Sequence, residues 1–340
     1  MAVRGAAEGE PSEAVKPEIG RRELVKGAVA ATSAFALSRP LAGRAQTSVK
    51  IGTAVLGDYA LVGPIVVALE KGFFAQQGLS AEFIPFRGGP DLVKAVIAGE
   101  VLLGSTGSTD IIVFREAGSP IKMVATETEG NHFTLNATPE IQKVADLRGK
   151  AIGVTRAGAS TWVFARILAR QHGMDPERDV KVVALGGLDA QLAALSRKEI
   201  HAFVWGDGGG ALEAQGKSKV LLRFDSVTPK WISQIFYTSE DTIRKQPDAI
   251  RKSLHALFQA IRLMKANPRE TAEIISKKIG WSPDGVLAAH KISGPLLPED
   301  GRINVDALRA MQDTLIEHGV IKKRLPIEDH FTTEFTPVKA

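Results

Sequence analysis

The sequence predicts an α/β protein built from two lobes, and three observations support this. Strand-like segments alternate with loops and helices from residue 48 onward, which is typical of mainly parallel sheets flanked by helices. A second series of the same alternation begins after Asp146-Leu147-Arg148-Gly149-Lys150. About 295 residues follow a proposed export signal, and because that exceeds one ordinary core, two domains are expected.

The first series begins with alternating residues at 48–54, which predict a strand. A helix is expected from about Pro64 to Phe74, since proline suits the first helical turn. A second strand follows at 80–86, and then a helix over 92–98 and a buried strand over 101–104. Each predicted helix thus follows a strand through a short loop.

The second series begins with a strand at 151–154 and a helix that ends near Gln171. A helix is also predicted over 191–196. Further strands are predicted at 181–184, 201–205 and 219–223. From Pro247 onward, apolar residues recur at intervals of three and four, so the C-terminal part is predicted to be helical and divided by prolines.

The first 45 residues resemble a cleavable export signal. Arg21-Arg22 precedes Lys26 and an apolar run over 27–37, and a small-x-small site precedes Gln46. The paired arginines indicate the twin-arginine route, which implies a twin-arginine translocase as partner during export. Cleavage near Ala45 and a periplasmic location are therefore expected. The alternative is a solvated basic helix end.

Composition excludes several classes of protein. The chain has no cysteine, which removes iron–sulfur clusters, thiolate zinc sites and thiol nucleophiles. The first 45 residues carry seven Lys or Arg and five Asp or Glu, so the remainder has a net charge of only +3 and no nucleic-acid partner is expected. No apolar run after residue 45 approaches the roughly 18 residues of a membrane span, and no cofactor or metal is expected.

Four loops contain the candidate binding residues, and each follows a predicted strand and opens a predicted helix. In an open parallel sheet such loops lie together at the carboxyl edge, where free helix N–H groups attract anions. Helix capping alone would explain any one of them, but four converging loops favour a ligand site. The loops are 57–60, 87–91, 105–109 and 158–161.

Several short motifs together resemble the substrate-binding proteins of ABC importers for sulfonates, nitrate and thiamine-precursor-like compounds. The resemblance covers roughly residues 49–335. It implies a two-lobed periplasmic binding protein of type II-like fold, with a ligand cleft between the lobes and a membrane permease with its ATPase as partner. The motifs are Glu70-Lys71-Gly72-Phe73-Phe74, Gln77-Gly78-Leu79, Ala98-Gly99-Glu100, Ala117-Gly118-Ser119-Pro120-Ile121-Lys122 and Asp146-Leu147-Arg148-Gly149-Lys150.

The resemblance also implies domain boundaries and contact residues. Lobe I would comprise 48–136 and 237–340, and lobe II would comprise 137–236, with crossings near 135–138 and 235–239. The ligand contacts implied by the resemblance are Asp58, Tyr59, Gly88, Gly89, Thr106, Gly107, Ala159, Ser160, Thr161, Trp205 and Asp207. Val204-Trp205-Gly206-Asp207 departs from relatives, which often have proline or alanine after the aromatic residue.

Side-chain chemistry leaves the ligand class open. Arg87 and Arg156 flank two of the loops and could pair with a carboxylate or sulfonate. Trp205 and Tyr59 could cover an apolar body, although a tryptophan is more often plain core. Asp58 and Asp207 would suit an amine or ring N–H, or would cap helices. A sulfonate or aromatic carboxylate is expected first and a nitrogen heterocycle second.

Two other functions remain open on the sequence. An enzyme of the same fold is one, although 158–162 lacks the second glycine of a nucleophile elbow and no His–Asp partner can be assigned. A sensor that presents its ligand to a signalling protein is the other, since it would use the same closure of two lobes. The histidines lack metal-ligand spacing. His132 precedes the predicted crossover, where a structural role is expected.

Overall fold

The computed structural model describes residues 46–339. The proposed export signal, including Arg21-Arg22 and the cleavage site near Ala45, lies outside the described residues. Within the described part, no helix is long and apolar enough to cross a membrane.

The strands form two five-stranded sheets. The strands are β1 (Thr47–Thr53), β2 (Leu79–Pro85), β3 (Leu103–Gly107), β4 (Ile121–Glu129), β5 (Thr134–Ala137), β6 (Ala151–Val154), β7 (Lys181–Ala184), β8 (Ala202–Trp205), β9 (Lys219–Arg223) and β10 (Ile232–Ser239).

The helices cover both sheets. They are α1 (Tyr59–Glu70), α2 (Phe73–Gln76), α3 (Gly89–Ile97), α4 (Ser108–Glu116), α5 (Ser160–Gln171), α6 (Leu188–Ser196), α7 (Gly209–Ala214), α8 (Glu240–Lys245), α9 (Pro247–Ala266), α10 (Pro268–Ile279), α11 (Pro283–Ser293) and α12 (Val305–Glu317). Short 3-10 helices occupy Val144–Leu147, Phe224–Ser226, Gly294–Leu296 and Ile327–Asp329.

The two sheets have the same topology. The first has the order β2-β1-β3-β10-β4 and the second the order β7-β6-β8-β5-β9. In each sheet the first three strands pair in parallel, and one reversed strand, β10 or β5, lies antiparallel between its two neighbours. Each sheet is therefore mainly parallel in strand direction. The predicted two-lobed α/β fold is confirmed.

The reversed strands correct the predicted crossing points. We call the chain around the first sheet lobe I and the chain around the second sheet lobe II. β5 pairs with β8 and β9, so the chain has already entered lobe II at Thr134. β10 pairs with β3 and β4, so it has returned to lobe I by Ile232. Both crossings come a few residues earlier than the resemblance implied, because each reversed strand belongs wholly to the sheet it enters.

The first helix also differs from its prediction. Asp58 caps α1 by accepting from the Leu61 N–H, and so the helix begins at Tyr59 rather than near Pro64. Pro64 lies inside the helix, where it removes one backbone hydrogen bond. The helix ends at Glu70, and Gly72 with φ of 67° separates it from α2.

The C-terminal helices pack on lobe I, and α9 and α10 contact α1. Helix α9 buries Ile250, Leu254, Leu257 and Ile261 on one face, which is the periodicity expected of an amphipathic helix. This packing fixes α1 behind the carboxyl edge of β1. The N-terminus of α1 faces lobe II.

Candidate functional site

A small cavity of about 40 Å³ lies between the lobes, at the carboxyl ends of β1, β3, β6 and β8. Both lobes contribute residues that the sequence analysis selected. From lobe I these are Asp58, Gly89, Thr106 and Gly107. From lobe II they are Ala159, Ser160, Thr161 and Trp205. The cavity therefore brings the four predicted loops together.

Tyr59, among the selected residues that do not line the cavity, points into the protein. Its side chain is buried, and its hydroxyl lies 2.8 Å from His290 Nδ1 on α11. The two rings meet edge to face, with centroids 5.7 Å apart. The ring of Tyr59 thus belongs to the lobe I core and does not cover the cavity.

Asp207 of lobe II reaches across to the N-terminus of α1 in lobe I. Its two carboxylate oxygens accept from the backbone N–H groups of Tyr59 and Ala60, each at 3.0 Å. Asp207 is completely buried. These N–H groups are the ones expected to attract a ligand anion, and the carboxylate of the chain itself occupies them.

Asp110 of lobe I makes the reciprocal contact with the N-terminus of α5 in lobe II. Its Oδ1 accepts from the Ser160 backbone N–H at 2.6 Å and from the Ser160 hydroxyl at 2.8 Å. Its Oδ2 accepts from the Thr106 hydroxyl at 2.7 Å. Thr109 and Ser160 also pair through their hydroxyls across the cleft. Asp110 lines the cavity, although the sequence analysis ended its loop one residue earlier.

Asp110 and Asp207 together form what we call the carboxylate clasp. Each side chain leaves one lobe and binds the start of a helix in the other, so the clasp holds the lobes together at two points. A carboxylate at a helix N-terminus contributes roughly 0.3–2 kcal/mol, depending on its burial. The clasp therefore stabilises the closed arrangement of the lobes.

Trp205 provides a third contact between the lobes. Its indole Nε1 donates to the Gly57 carbonyl of lobe I at 2.8 Å, and the side chain is only 1% exposed. The ring lines the cavity. Trp205 thus serves both as wall and as a link between the lobes.

The two selected arginines lie outside the cavity lining. Arg156 of lobe II donates through Nε to Asp91 of lobe I at 3.1 Å, and both side chains are about one third exposed. A Cβ at Gly88 would overlap the Arg156 side chain, so Gly88 also belongs to this rim contact. The nearest atoms to a Cβ on Gly186 include Arg87 and Arg156. The arginines thus lie at the rim between the lobes.

A buried polar network lies under the cavity. Gln234 Nε2 donates to Asp58 Oδ1 at 3.1 Å and lies 3.2 Å from His132 Nε2. The Thr128 hydroxyl donates to Gln234 Oε1 at 2.8 Å. His132 Nε2 also lies 3.7 Å from Asp58 Oδ2. His132 is thus part of the site's hydrogen-bond network.

Glu127 extends this network on the lobe I side. Its Oε2 accepts from the Ser105 hydroxyl at 2.5 Å, while its Oε1 is buried without a hydrogen-bond partner in the described protein. Burial raises the pKa of Glu127 well above its usual value, and the neighbouring charge of Asp58 adds to this rise. Glu127 is therefore favoured as a neutral acid.

The carboxyls nearer the cavity differ in charge. Burial raises the pKa of Asp207 to about 7, with the charge of Asp58 as the second cause. Burial raises the pKa of Asp110 to about 6 against the opposing hydrogen bonds of Thr106 and Ser160. Burial alone would raise the pKa of Asp58, but His132, the Leu61 N–H and Gln234 together lower it. Asp58 is thus the most firmly ionised of the three.

Asp58, His132 and Asp207 could together hold a metal ion, because one ligand atom from each lies within 4.8 Å of the others. The sequence analysis missed this grouping, since the three residues are far apart in the chain. Both oxygens of Asp207 already accept from backbone N–H groups, and Gln234 directs an amide donor at Asp58. Those donors compete with metal ligation.

Sequence reasoning missed Asp110, Glu127 and Gln234 as site residues. Asp110 carried a weak signal, since it directly follows the selected loop 105–109. Glu127 and Gln234 lie on β4 and β10, neither of which was predicted as a strand. Their positions became visible only once these two strands were placed beside β3.

Comparisons with known proteins agree on a family and a fold. A family profile described as NMT1/THI5 like matches residues 61–271. A Brucella abortus (strain 2308) chain, named only as a binding protein, is 24% identical over 301 residues, covering 86% of this chain and 93% of the relative. The taurine-binding periplasmic protein of Escherichia coli K12 is 28% identical over 234 residues, covering 65% of this chain and 71% of the relative.

An enzyme and a solved structure are also similar. A 4-amino-5-hydroxymethyl-2-methylpyrimidine phosphate synthase of Saccharomyces cerevisiae is 23% identical over 224 residues, covering 60% of this chain and 64% of the relative. The alkanesulfonate-binding protein of Xanthomonas axonopodis pv. citri superposes with a TM-score of 0.68 at 20% identity, covering 83% of this chain and 96% of that chain. The fold of this chain is that of periplasmic binding proteins.

Proposed function

Because the chain belongs to the NMT1/THI5-like family, we propose that it is the solute-binding component of an ABC importer. It captures a small organic solute between its lobes and delivers it to a membrane permease that works with an ATPase. The observation that carries this proposal is the cavity between the carboxyl edges of the two sheets, lined from both lobes. A ligand bound there bridges the lobes, so that a partner can recognise the closed form.

The names of the relatives support a periplasmic protein that binds a sulfonate-like solute. An organic anion, sulfonate or aromatic carboxylate, is the class expected first from the sequence, and a nitrogen heterocycle is second. Export by the twin-arginine translocase, with cleavage near Ala45, belongs to the same proposal. The thirteen residues selected from the sequence are proposed contacts, apart from Tyr59, whose side chain points into the lobe I core.

Binding without catalysis fits the site best. Ser160 lies in the segment 158–162, which partly resembles a nucleophile elbow. Its hydroxyl, however, donates to Asp110 and pairs with the Thr109 hydroxyl. Within the described residues, the hydrogen bonds of Ser160 go to Thr109 and Asp110, and none goes to a histidine that could act as a general base. Because the similar yeast protein is a synthase, an enzyme is the alternative function. A product assay distinguishes an enzyme from a binding protein.

A thermal-shift screen of the purified protein tests the proposal, with sulfonates, nitrate, aromatic carboxylates, taurine and pyrimidines as the panel. Ligand at about a hundred times its dissociation constant adds about 2.7 kcal/mol of stability, which raises the melting temperature by several degrees. A selective shift, with the compound recovered unchanged, supports a binding protein. Turnover of the compound, or no shift from folded ligand-free protein, counts against it.

The choice between permease and sensor needs a second measurement. The protein with its ligand is added to a reconstituted candidate ABC permease and its ATPase. Ligand-dependent stimulation of ATP hydrolysis supports the importer. A loaded protein that leaves hydrolysis unchanged would favour a sensor partner.

A further inference from the structure

We propose that the cleft selects its ligand through a protonated amine, held between the carboxylates of Asp58 and Asp110. This inference rests on the proposed solute-binding function and reverses the charge that the sequence analysis expected at the binding point. Both side chains line the same cavity. Three independent features of the described residues lead to it.

The first feature is that two of the helix N-termini facing the cleft, those of α1 and α5, are already occupied. Asp207 accepts from the Tyr59 and Ala60 N–H groups at the start of α1, and Asp110 accepts from the Ser160 N–H at the start of α5. A ligand sulfonate or carboxylate would have to displace a buried carboxylate at either place. At α1 and α5 the groups that favour an anion are therefore used within the protein, whereas the starts of α3 and α4, at Gly88 and Gly107, carry no side-chain cap.

The second feature is that carboxylate oxygens in the cavity wall can accept more hydrogen bonds than they do. A carboxylate offers about four lone-pair sites. Asp110 uses three of them, for Thr106 and for the N–H and hydroxyl of Ser160. Asp58 accepts from Leu61 and Gln234 through Oδ1, while its Oδ2 has only His132 nearby at 3.7 Å. An ammonium group supplies three hydrogen-bond donors, which match these unused acceptor sites.

The third feature is the balance of charge. Among the described residues that line the cavity, none is a lysine or an arginine. Arg156 is committed to Asp91 at the rim. Asp58, Asp110 and Asp207 are all buried around the cleft, and Asp58, whose pKa is lowered, is the most firmly ionised of them. A ligand cation therefore lowers the cost of the buried negative charge, whereas a ligand anion adds to it.

The cavity size fits the same reading. Its volume of about 40 Å³ is well below the roughly 150 Å³ that accommodates benzene. It has room for a headgroup of ammonium size, whereas the body of an organic ligand requires the lobes to move apart. We therefore place only the amine in this closed cavity, between Asp58 and Asp110.

Isothermal titration calorimetry with matched ligand pairs tests this inference on the purified protein. Taurine is compared with isethionate, which carries a hydroxyl in place of the amine, and benzylamine is compared with benzyl alcohol. We expect the amine of each pair to bind at least tenfold more tightly than its hydroxyl partner. Equal or tighter binding of the hydroxyl compounds would overturn the inference while leaving the solute-binding proposal intact.

Failure of the proposed function gives a different result. If neither member of either pair binds, and the thermal-shift panel also leaves folded ligand-free protein unchanged, the solute-binding proposal itself fails and the inference fails with it. If only nitrate or carboxylates from that panel bind, the inference is overturned and solute binding stands.

Asp110→Asn provides the variant test, since asparagine keeps the shape and removes the charge. We expect it to weaken binding of the amines at least tenfold more than binding of the hydroxyl partners, because loss of the clasp contact with Ser160 affects both members of each pair alike. Asp306→Asn is the matched control, because the Asp306 side chain is 90% exposed on α12. Equal amine affinity in Asp110→Asn and the wild type would contradict the inference.

A pH titration of the wild type keeps the inference testable if Asp110→Asn does not fold. The groups that face Asp110 are the hydroxyls of Thr106 and Ser160 and the phenol of Tyr237, whose pKa lies well above its usual value because of burial. With the pKa of Asp110 raised to about 6, amine affinity should fall as the pH drops below about 6. Constant affinity from pH 7 to pH 5 would contradict the role of Asp110.

Discussion

At the scale of single residues, Asp110 and Asp207 combine a structural and an electrostatic role. Each is fully buried, accepts hydrogen bonds from a helix start in the opposite lobe, and has a raised pKa. Burial penalises the ionised form of both groups, while the helix N–H groups favour it. Their charge near neutral pH is therefore sensitive to the environment that the closing lobes create.

The pKa of Asp207 gives a prediction about stability and pH. Folding raises this pKa from 3.8 to about 7, so the folded state holds one more proton than the unfolded state between about pH 4 and pH 7. The Asp207 carboxyl thus contributes stability that is present at low pH and is lost as the pH rises toward 7. From pH 7 to pH 5, the free energy of unfolding of the wild type should gain on that of Asp207→Asn by up to about 1.4 kcal/mol per pH unit.

Urea unfolding of ligand-free protein at pH 7, 6 and 5 measures this difference. Comparing two variants at each pH cancels the contributions of His330 and His201, whose lowered pKa values act in the opposite direction. Asp306→Asn is the control, and its difference from the wild type should not depend on pH. A difference for Asp207→Asn that stays constant or shrinks toward pH 5 would contradict the raised pKa.

Trp205 supports a second prediction at the residue scale. In Trp205→Phe the Gly57 carbonyl, which is buried, loses the indole donor that lies 2.8 Å away. We expect a loss of about 1–3 kcal/mol in the free energy of unfolding, the cost of an unsatisfied buried polar group. Chemical denaturation measures it.

Trp162→Phe is the matched control for this substitution. Trp162 is half-buried and lies under the Arg166 guanidinium, 4.4 Å from the ring centroid, and phenylalanine keeps an aromatic face there. The control should cost distinctly less. Equal costs for the two substitutions would mean that the contact of Trp205 with lobe I contributes little.

At the scale of elements, β3 and α5 approach each other so closely that one glycine is required. Gly107 ends β3 with φ of −65°, a conformation that alanine adopts without strain. A methyl group there would overlap Ser160 Oγ, at the start of α5 in the other lobe. The absence of a side chain at Gly107 thus permits the contact between Asp110 and Ser160.

Gly107→Ala should keep the lobes from reaching this closed arrangement without unfolding either of them. We expect a larger radius of gyration in small-angle X-ray scattering and a reduced affinity for any cleft ligand. Gly187→Ala is the matched control, since Gly187 also has φ of −65° and a Cβ there would meet nothing within 4 Å. Identical scattering curves for both variants and the wild type would contradict the predicted steric block.

Some strands could be predicted from the sequence and others could not. The strands β6, β7 and β9 were predicted at their observed bounds, because each is a short apolar run after a turn. β4, β5 and β10 were not predicted, although β10 is entirely buried. β10 and β5 follow the chain's crossings between lobes, and nothing local in the sequence distinguishes such a strand from the loops around it.

At the scale of the whole molecule, exposed ion pairs contribute little to the contact between the lobes. Arg156 and Asp91 form an ion pair at the rim, but both are about one third exposed, and exposed pairs contribute at most about 1 kcal/mol. The buried contacts of Asp110, Asp207 and Trp205 therefore dominate the closure.

The export proposal also belongs to this scale, because it concerns where the folded molecule ends up. We expect Arg21-Arg22→Lys-Lys to retain the protein in the cytoplasm, since the paired arginines are the address of the twin-arginine route. Fractionation and immunoblotting of cells measure the periplasmic share. Arg39→Lys is the control in the same segment and should be exported normally, while equal export of both variants would count against the route.

The sequence by itself determined the α/β class, the two series of alternating elements and the loops that meet in the cleft. These follow from local periodicity and from glycine, serine and threonine at helix starts, which neighbouring residues define. The tertiary structure decided what those loops do. Asp207 meets Tyr59 across 148 residues, and Asp110 meets Ser160 across 50. Only the packing of one lobe against the other brings these carboxylates to the helix starts. The sequence analysis had expected a ligand anion to bind at those helix starts.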